Sequence, residues 1–131
     1  MEALRASGLI ALGAALGANA RYWLGVWFEQ RLSGFPWGTF TVNLSGCLAI
    51  GFVLGLTENS ELGDTTRWLA VTGFLGGYTT FSAFSAETIA LLQQGYAGRA
   101  AGYVAGSVFG GVAACALGWL LGGAVASLRA P

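Results

Sequence analysis

The chain has 131 residues, of which 55% are apolar and only 9% charged, a balance too poor in charge for an ordinary water-soluble domain of this length. Six arginines offset six acids and form no basic stripe, which sets aside nucleic acid as a partner. Histidine is absent, Cys47 and Cys115 read as small buried hydrophobes, and no paired carboxylate or phosphate loop is present, so an enzyme and a side-chain metal site are both disfavoured.

A bilayer core about 30 Å thick needs roughly 20 apolar residues of helix. Runs between charges reach or approach that length at Ala6 to Phe28 (broken only by Arg21), Leu32 to Thr57, Trp68 to Ala86 and Ala100 to Leu128. The expected architecture is therefore an all-α membrane protein, one domain over residues 1–131, with helices at about 4–28, 38–57, 68–92 and 100–128.

The first element imitates a secretory signal, since Arg5 precedes an apolar stretch that ends in Ala18-Asn19-Ala20. Hydrophobic sequence resumes at once with Tyr22-Trp23-Leu24, and the segment reaches spanning length only if it stays whole, so it is read as an uncleaved span. Arg21 would cost about 2.5 to 3.5 kcal/mol at mid-membrane but is near enough to the span end to snorkel. Its other use is to raise the local anion concentration at an entrance.

Phe35-Pro36-Trp37-Gly38 is the turn into helix two, where proline suits a helix start. Thr39 and Asn43 share a face of that helix. The Asn43 amide serves either as polar glue between helices or as a donor lining a wet pathway; such bonds average only about 0.6 kcal/mol. Glu58, Glu61, Asp64 and Arg67 form the charge-rich loop that follows.

Helix three carries the densest signal, Thr72 to Ser85. Adjacent glycines followed by adjacent β-branched threonines make a poor continuous helix where lipid forbids unsatisfied backbone groups. Either the helix breaks and its freed carbonyls bind a cation, or the glycines mark a close crossing with hydrogen bonds intact. Phe81 and Phe84, three apart, read by spacing as core, although the positive edges of aromatic rings suit an anion. Glu87 on the later half reads as exposed or locally paired, without a proton-relay partner. Gln93 to Arg99 link to helix four, whose Tyr103, Ser107 and Gly111 share a face.

Glycines four apart occur in every helix: Gly13/Gly17, Gly51/Gly55, Gly73/Gly77, Gly102/Gly106 and Gly118/Gly122. They imply close backbone crossings, first of all within one subunit. Trp23, Trp27, Trp37 and Trp68 fall near span ends, as membrane-interface side chains do; Trp119 does not. Arg5, Arg67 and Arg129 fall on one side and Arg31, Arg99 and nearby Arg21 on the other, so the positive bias that orients membrane proteins nearly cancels. Insertion in one orientation and insertion in both remain open on this count.

Gly17-Ala18-Asn19-Ala20-Arg21-Tyr22, Pro36-Trp37-Gly38-Thr39, Val42-Asn43 and Thr72 to Glu87 together resemble the CrcB/Fluc fluoride-channel family along the whole chain. The most specific block is Gly76-Gly77-Tyr78-Thr79-Thr80-Phe81-Ser82-Ala83-Phe84-Ser85. The resemblance implies a passive fluoride-selective channel of the bacterial inner membrane, built as an antiparallel, dual-topology homodimer with two pores. It implies pore phenylalanines at Phe81 and Phe84, a pore asparagine at Asn43, a vestibule threonine at Thr39, a vestibule arginine at Arg21 and a polar track through Tyr103 and Ser107. It also implies a structural sodium ion held by the backbone carbonyls of Gly76 and Thr79 from both subunits. Ala83 stands where many relatives have threonine, and Gly111 replaces a frequent hydroxyl residue, so Ser82, Ser85 or backbone groups are left as alternative donors.

Two other functions are weighed. A dual-topology, proton-coupled exporter of small cationic drugs needs a deep carboxylate, and helix one has none between Arg5 and Glu29. A non-conducting assembly subunit would use Asn43 and the helix-three glycines for packing alone.

Overall fold

A computed structural model describes residues 1–58 and 62–128. Glu61 of the acidic loop and Arg129 of the arginine tally lie outside the described residues. The described chain is helical: α1 (Glu2–Glu29), α2 (Trp37–Leu56), a short α3 (Asp64–Thr66) running into a π-helix π1 (Arg67–Leu75), α4 (Gly76–Tyr78), α5 (Phe81–Gln93) and α6 (Ala97–Ser127). Three of these, α1, α2 and α6, are long and apolar enough to cross a membrane, with mean hydropathies of 1.2, 1.7 and 1.9.

The expected helix over 68–92 is realised in pieces. Thr79 (ψ 155°) and Thr80 (φ −151°, ψ 121°) are extended, and they divide α4 from α5. The break falls at the threonine pair rather than at the glycines, because Thr80 serves as the N-cap of α5: its Oγ1 accepts from the Ala83 N–H at 3.2 Å. The nine-residue π-helix before it was not legible in the sequence.

Helix four begins at Ala97, so Arg99 lies in its first turn and not in the linker. The link shortens because Gly95, at φ 82°, closes α5 in a Schellman motif: the Gly95 N–H donates to Leu92 O at 3.0 Å and the Tyr96 N–H to Leu91 O at 2.9 Å. The third helical stretch begins at Asp64 rather than 68, so Asp64 and Arg67 belong to it and not to the charge-rich loop; the remaining helix ends agree with expectation to within about two residues.

Packing follows the glycines. Helix α1 runs parallel to π1 and α4, and a Cβ on Gly17 would overlap the Phe74 carbonyl, while one on Gly77 would stand 2.5 Å from the Ala14 oxygen. Helices α2 and α6 run parallel in the same manner: Gly51 and Gly55 face the Cys115 and Trp119 carbonyls, and Gly118 and Gly122 face those of Leu48 and Phe52. These pairs are thus crossings within the subunit, where contact at backbone distance replaces side-chain interdigitation. Gly102 differs, with open space where its Cβ would be.

Arg5 donates to Thr65 Oγ1 at 2.8 Å, joining the starts of α1 and α3, while Arg99 donates to Gly34 O at 3.1 Å, joining the start of α6 to the loop between α1 and α2 at the opposite end. Arg5 and Arg67 therefore share one end and Arg31 and Arg99 the other. Few large side chains are buried: Val42 and Tyr103 fully, with Leu91 and Ala100 close behind. Leu12, Leu16, Trp23 and Trp27 on α1 and Val104, Val108, Phe109 and Val112 on α6 face outward. Such continuous apolar faces suit hydrocarbon or a second chain, not water.

Candidate functional site

The extended Thr79-Thr80 pair withdraws backbone groups from the helical ladder at the middle of the fold, and α2 takes them up. Asn43 is the main partner: its Nδ2 donates to Thr80 O at 3.0 Å and its Oδ1 accepts from the Thr80 N–H at 2.8 Å. This double bond copies the pairing of one peptide with another and defines which way the amide points, since an N–H only donates and a carbonyl only accepts. One amide N–H of Asn43 is left for other use. Next to it, the Ser45 and Tyr78 hydroxyls are hydrogen-bonded at 2.9 Å.

The carbonyls on the α4 side are not taken up. Thr79 N–H donates to Leu75 O at 3.0 Å, but the Thr80 N–H that would reach Gly76 O is on Asn43, and the Ala83 N–H that would reach Thr79 O is on Thr80 Oγ1. No described donor reaches the Gly76 or Thr79 carbonyl. Gly76 has open space around its Cα, and both residues line a groove of about 460 Å³ together with Asn43, Thr80, Phe81, Phe84 and Ser107. Free carbonyl oxygens at a helix C-terminal end suit a hard monovalent cation, so the residues present fit the implied sodium. Among the described residues no cluster of carboxylates or thiols offers an alternative.

Phe81 and Phe84 lie 5.5 Å apart, centroid to centroid, but are not a core pair. Phe84 packs on Tyr103 at 5.1 Å, whereas Phe81 is 79% exposed, so the reading of both as core is corrected for Phe81. A helix start at Phe81 leaves its ring exposed over the groove.

The larger correction concerns Glu87. It accepts from Thr39 Oγ1 at 2.7 Å through one carboxylate oxygen and from the Tyr103 hydroxyl at 2.6 Å through the other. Its partners come from α2 and α6, 48 and 16 residues away, so it is neither exposed nor locally paired as its sequence neighbourhood suggests. Tyr103 is fully buried, with Phe35, Phe40 and Phe84 around its ring. A small cavity of about 60 Å³, lined in part by Glu29, Thr39 and Glu87, lies on the outer side.

Two expected anion donors, Thr39 and Tyr103, thus donate their hydrogen bonds to a carboxylate. Ser82 Oγ pairs with Thr80 Oγ1 at 3.2 Å and Ser85 Oγ donates to Phe81 O at 2.9 Å, so these hydroxyls are engaged locally. Ser107 Oγ alone is buried without a partner among the described residues, and it faces the groove. Arg21 is half-buried, and among the described residues it makes neither an ion pair nor a hydrogen bond. It continues the Gly13/Gly17 face of α1 one turn beyond Tyr78, at the level where the third helix turns aside.

The family model described as CrcB-like protein, Camphor Resistance (CrcB), matches residues 8–119. The chain belongs to the CrcB family. Three CrcB relatives, each named fluoride-specific ion channel FluC, come from Chloroflexus aurantiacus (50% identical, 86% of this chain and 91% of the relative), Thermus thermophilus (48%, 89% and 93%) and Bordetella petrii (50%, 83% and 84%). Within this CrcB chain, Gly111 lies buried against Cys47, its added Cβ 3.4 Å from the sulfur, so the helix-four track ends in packing.

Thr80, Gly46, Ser45 and Glu87 were not singled out for the site by sequence. A Thr that follows a helix-breaking pair and precedes an apolar run is a cap signal that could have marked Thr80. Nothing local marks the other three.

Proposed function

We propose that this chain is a passive, fluoride-selective channel subunit of the bacterial inner membrane. The relatives' names supply the ion, and a channel of this class is not an enzyme. One observation carries the reading: a helix broken at Thr79-Thr80 in the centre of an apolar bundle, with Asn43 satisfying the break on one side and a groove on the other that holds Phe81, Phe84 and the unpartnered Ser107 hydroxyl. Irregular backbone in a membrane is tolerated where it is covered by protein or lines a wet path.

The subunit has four spans, the third formed by π1, α4 and α5 in sequence, and it works as an antiparallel dimer with two pores. The split of arginines between the two ends supports dual insertion. The half-covered groove and the protruding Phe81 ring support a second copy at the break. There the Gly76 and Thr79 carbonyls of both copies would hold a sodium ion, which would neutralise the converging dipoles without presenting a trap to the anion. Arg21 attracts fluoride to the entrance, the second Asn43 N–H and Ser107 replace part of its hydration, and the edges of Phe81 and Phe84 line the narrow section. Ser82 and Ser85 take part only by leaving their local partners. Glu87 holds Thr39 and Tyr103 beyond that point.

Purified protein in liposomes tests this directly. Fluoride should leave rapidly and chloride slowly, and cysteine crosslinking should find copies in both orientations. Vesicles that retain fluoride, with every copy facing one way, would refute it. The half-buried carboxylate of Glu87 is the one feature an exporter would require; proton-dependent drug uptake without a fluoride leak would establish that function instead.

A further inference from the structure

The three residues at the break are each seated on α2 by a different residue. Tyr78 reaches Ser45 through its hydroxyl, Thr80 is bonded twice to Asn43, and Thr79, between them, sits with its Cγ2 methyl against the bare Cα of Gly46. A Cβ on Gly46 would overlap that methyl, while the Thr79 Cβ and the Tyr78 ring would stand at an ordinary 3.7 Å. Thr79 Oγ1 is turned the other way, donating to Leu75 O at 3.0 Å, so its χ1 is set by two contacts on opposite sides. Gly46 is helical and has no positive φ, and its facing contact is a side chain; Gly51, Gly55, Gly118 and Gly122, by contrast, meet backbone. Its function is a seat rather than a crossing.

We propose that Gly46 is a positioning residue: a one-methyl socket that, between Asn43 and Ser45, sets the rotation of Thr79 and hence the direction of the Gly76 and Thr79 carbonyls. The proposal rests on the reading of those carbonyls as the sodium site. Thr79 is the only one of the three seated residues that also supplies such a carbonyl, and that oxygen accepts no helical bond, because the Ala83 N–H is on Thr80 Oγ1. Displacing its side chain therefore moves the ligand atom directly.

The socket can be moved from one helix to the other. Gly46→Ala adds a methyl where the Thr79 methyl sits, Thr79→Ser removes that methyl but keeps the Oγ1 bond to Leu75, and the pair together restores one methyl in the gap. Fluoride efflux from liposomes is measured for the three variants and the parent at equal amounts of dimer, over a range of sodium concentration with a bulky organic cation as replacement. Gly46→Ala should lower the efflux rate and raise the half-saturating sodium concentration by about ten-fold or more, Thr79→Ser by several-fold, and the double variant should return both to within about two-fold of the parent. If Gly46→Ala fails to assemble, assembly regained in the double variant is the same rescue. Parent-like behaviour of both single variants, or a double variant no better than Gly46→Ala, overturns the socket. Rescue of efflux in channels that ignore sodium throughout supports the socket and removes the cation reading alone.

Discussion

Replacing Asn43 by alanine should be far more damaging than an interhelical hydrogen bond in a membrane protein usually suggests. Single polar contacts between membrane helices average about 0.6 kcal/mol, because a dissociated helix finds other partners for the same side chain. Here the partner is backbone. With Thr79 at ψ 155° the Thr80 N–H is directed away from the Gly76 carbonyl, and residue Thr80 is only 9% exposed, so neither helix nor solvent can substitute for Asn43 Oδ1. Two bonds at about 1 kcal/mol each, plus about 1 kcal/mol or more for an orphaned buried donor, give an expected loss of about 3 kcal/mol or more. That corresponds to about a 150-fold or larger change in the folding equilibrium. Asn19→Ala is the internal control, since its amide donates only to Ala15 O on the same exposed face of α1, and its removal should cost under about 0.5 kcal/mol. Unfolding in mixed micelles of mild and denaturing detergent, followed by tryptophan fluorescence, measures both, and hydrogen exchange at the Thr80 amide reports the bond itself. Equal stability of the two variants, or unchanged protection at Thr80, would refute the assignment of Asn43 as the partner that completes the break.

Thr80→Ala removes the α5 cap and should cost about 1 kcal/mol, with faster amide exchange at Ala83 as the local sign. Tyr103→Phe keeps the ring among Phe35, Phe40 and Phe84 but takes one of the two donors from Glu87; a bond to a charged group contributes about 1.5–3 kcal/mol, so fluoride efflux should change by ten-fold or more while the circular dichroism stays the same. Phe84→Ala should destabilise the subunit by about 3 kcal/mol in the same unfolding assay, whereas Phe81→Ala should be nearly neutral there and impair fluoride efflux. Gly17→Ala and Gly118→Ala, which drive a methyl into facing carbonyls, should each cost about 1–3 kcal/mol, while Gly98→Ala, with open space at its Cβ, should be neutral or stabilising on thermal unfolding.

Much of this protein is decided by order along the chain. The spacing of charges marks the apolar segments, the four-residue glycine repeats mark most of the crossings, and Gly76-Gly77 followed by Thr79-Thr80 marks a place where the helix either breaks or is closely crossed. These features are local: each follows from the propensity or hydration of neighbouring residues, and neighbours are what a sequence displays. Tertiary structure decided the rest. Whether Asn43 spends its amide on the break or on an ion depends on the rotation of α2 against α4, and whether Glu87 is exposed depends on Thr39 and Tyr103 arriving from two other helices. The outward turn of Phe81 depends on where the cap at Thr80 restarts the helical phase. Hydrogen bonds and van der Waals contacts act over a few ångströms, so partners 37 or 48 residues apart come within reach only when the bundle has formed, and no local propensity encodes which donor meets which acceptor.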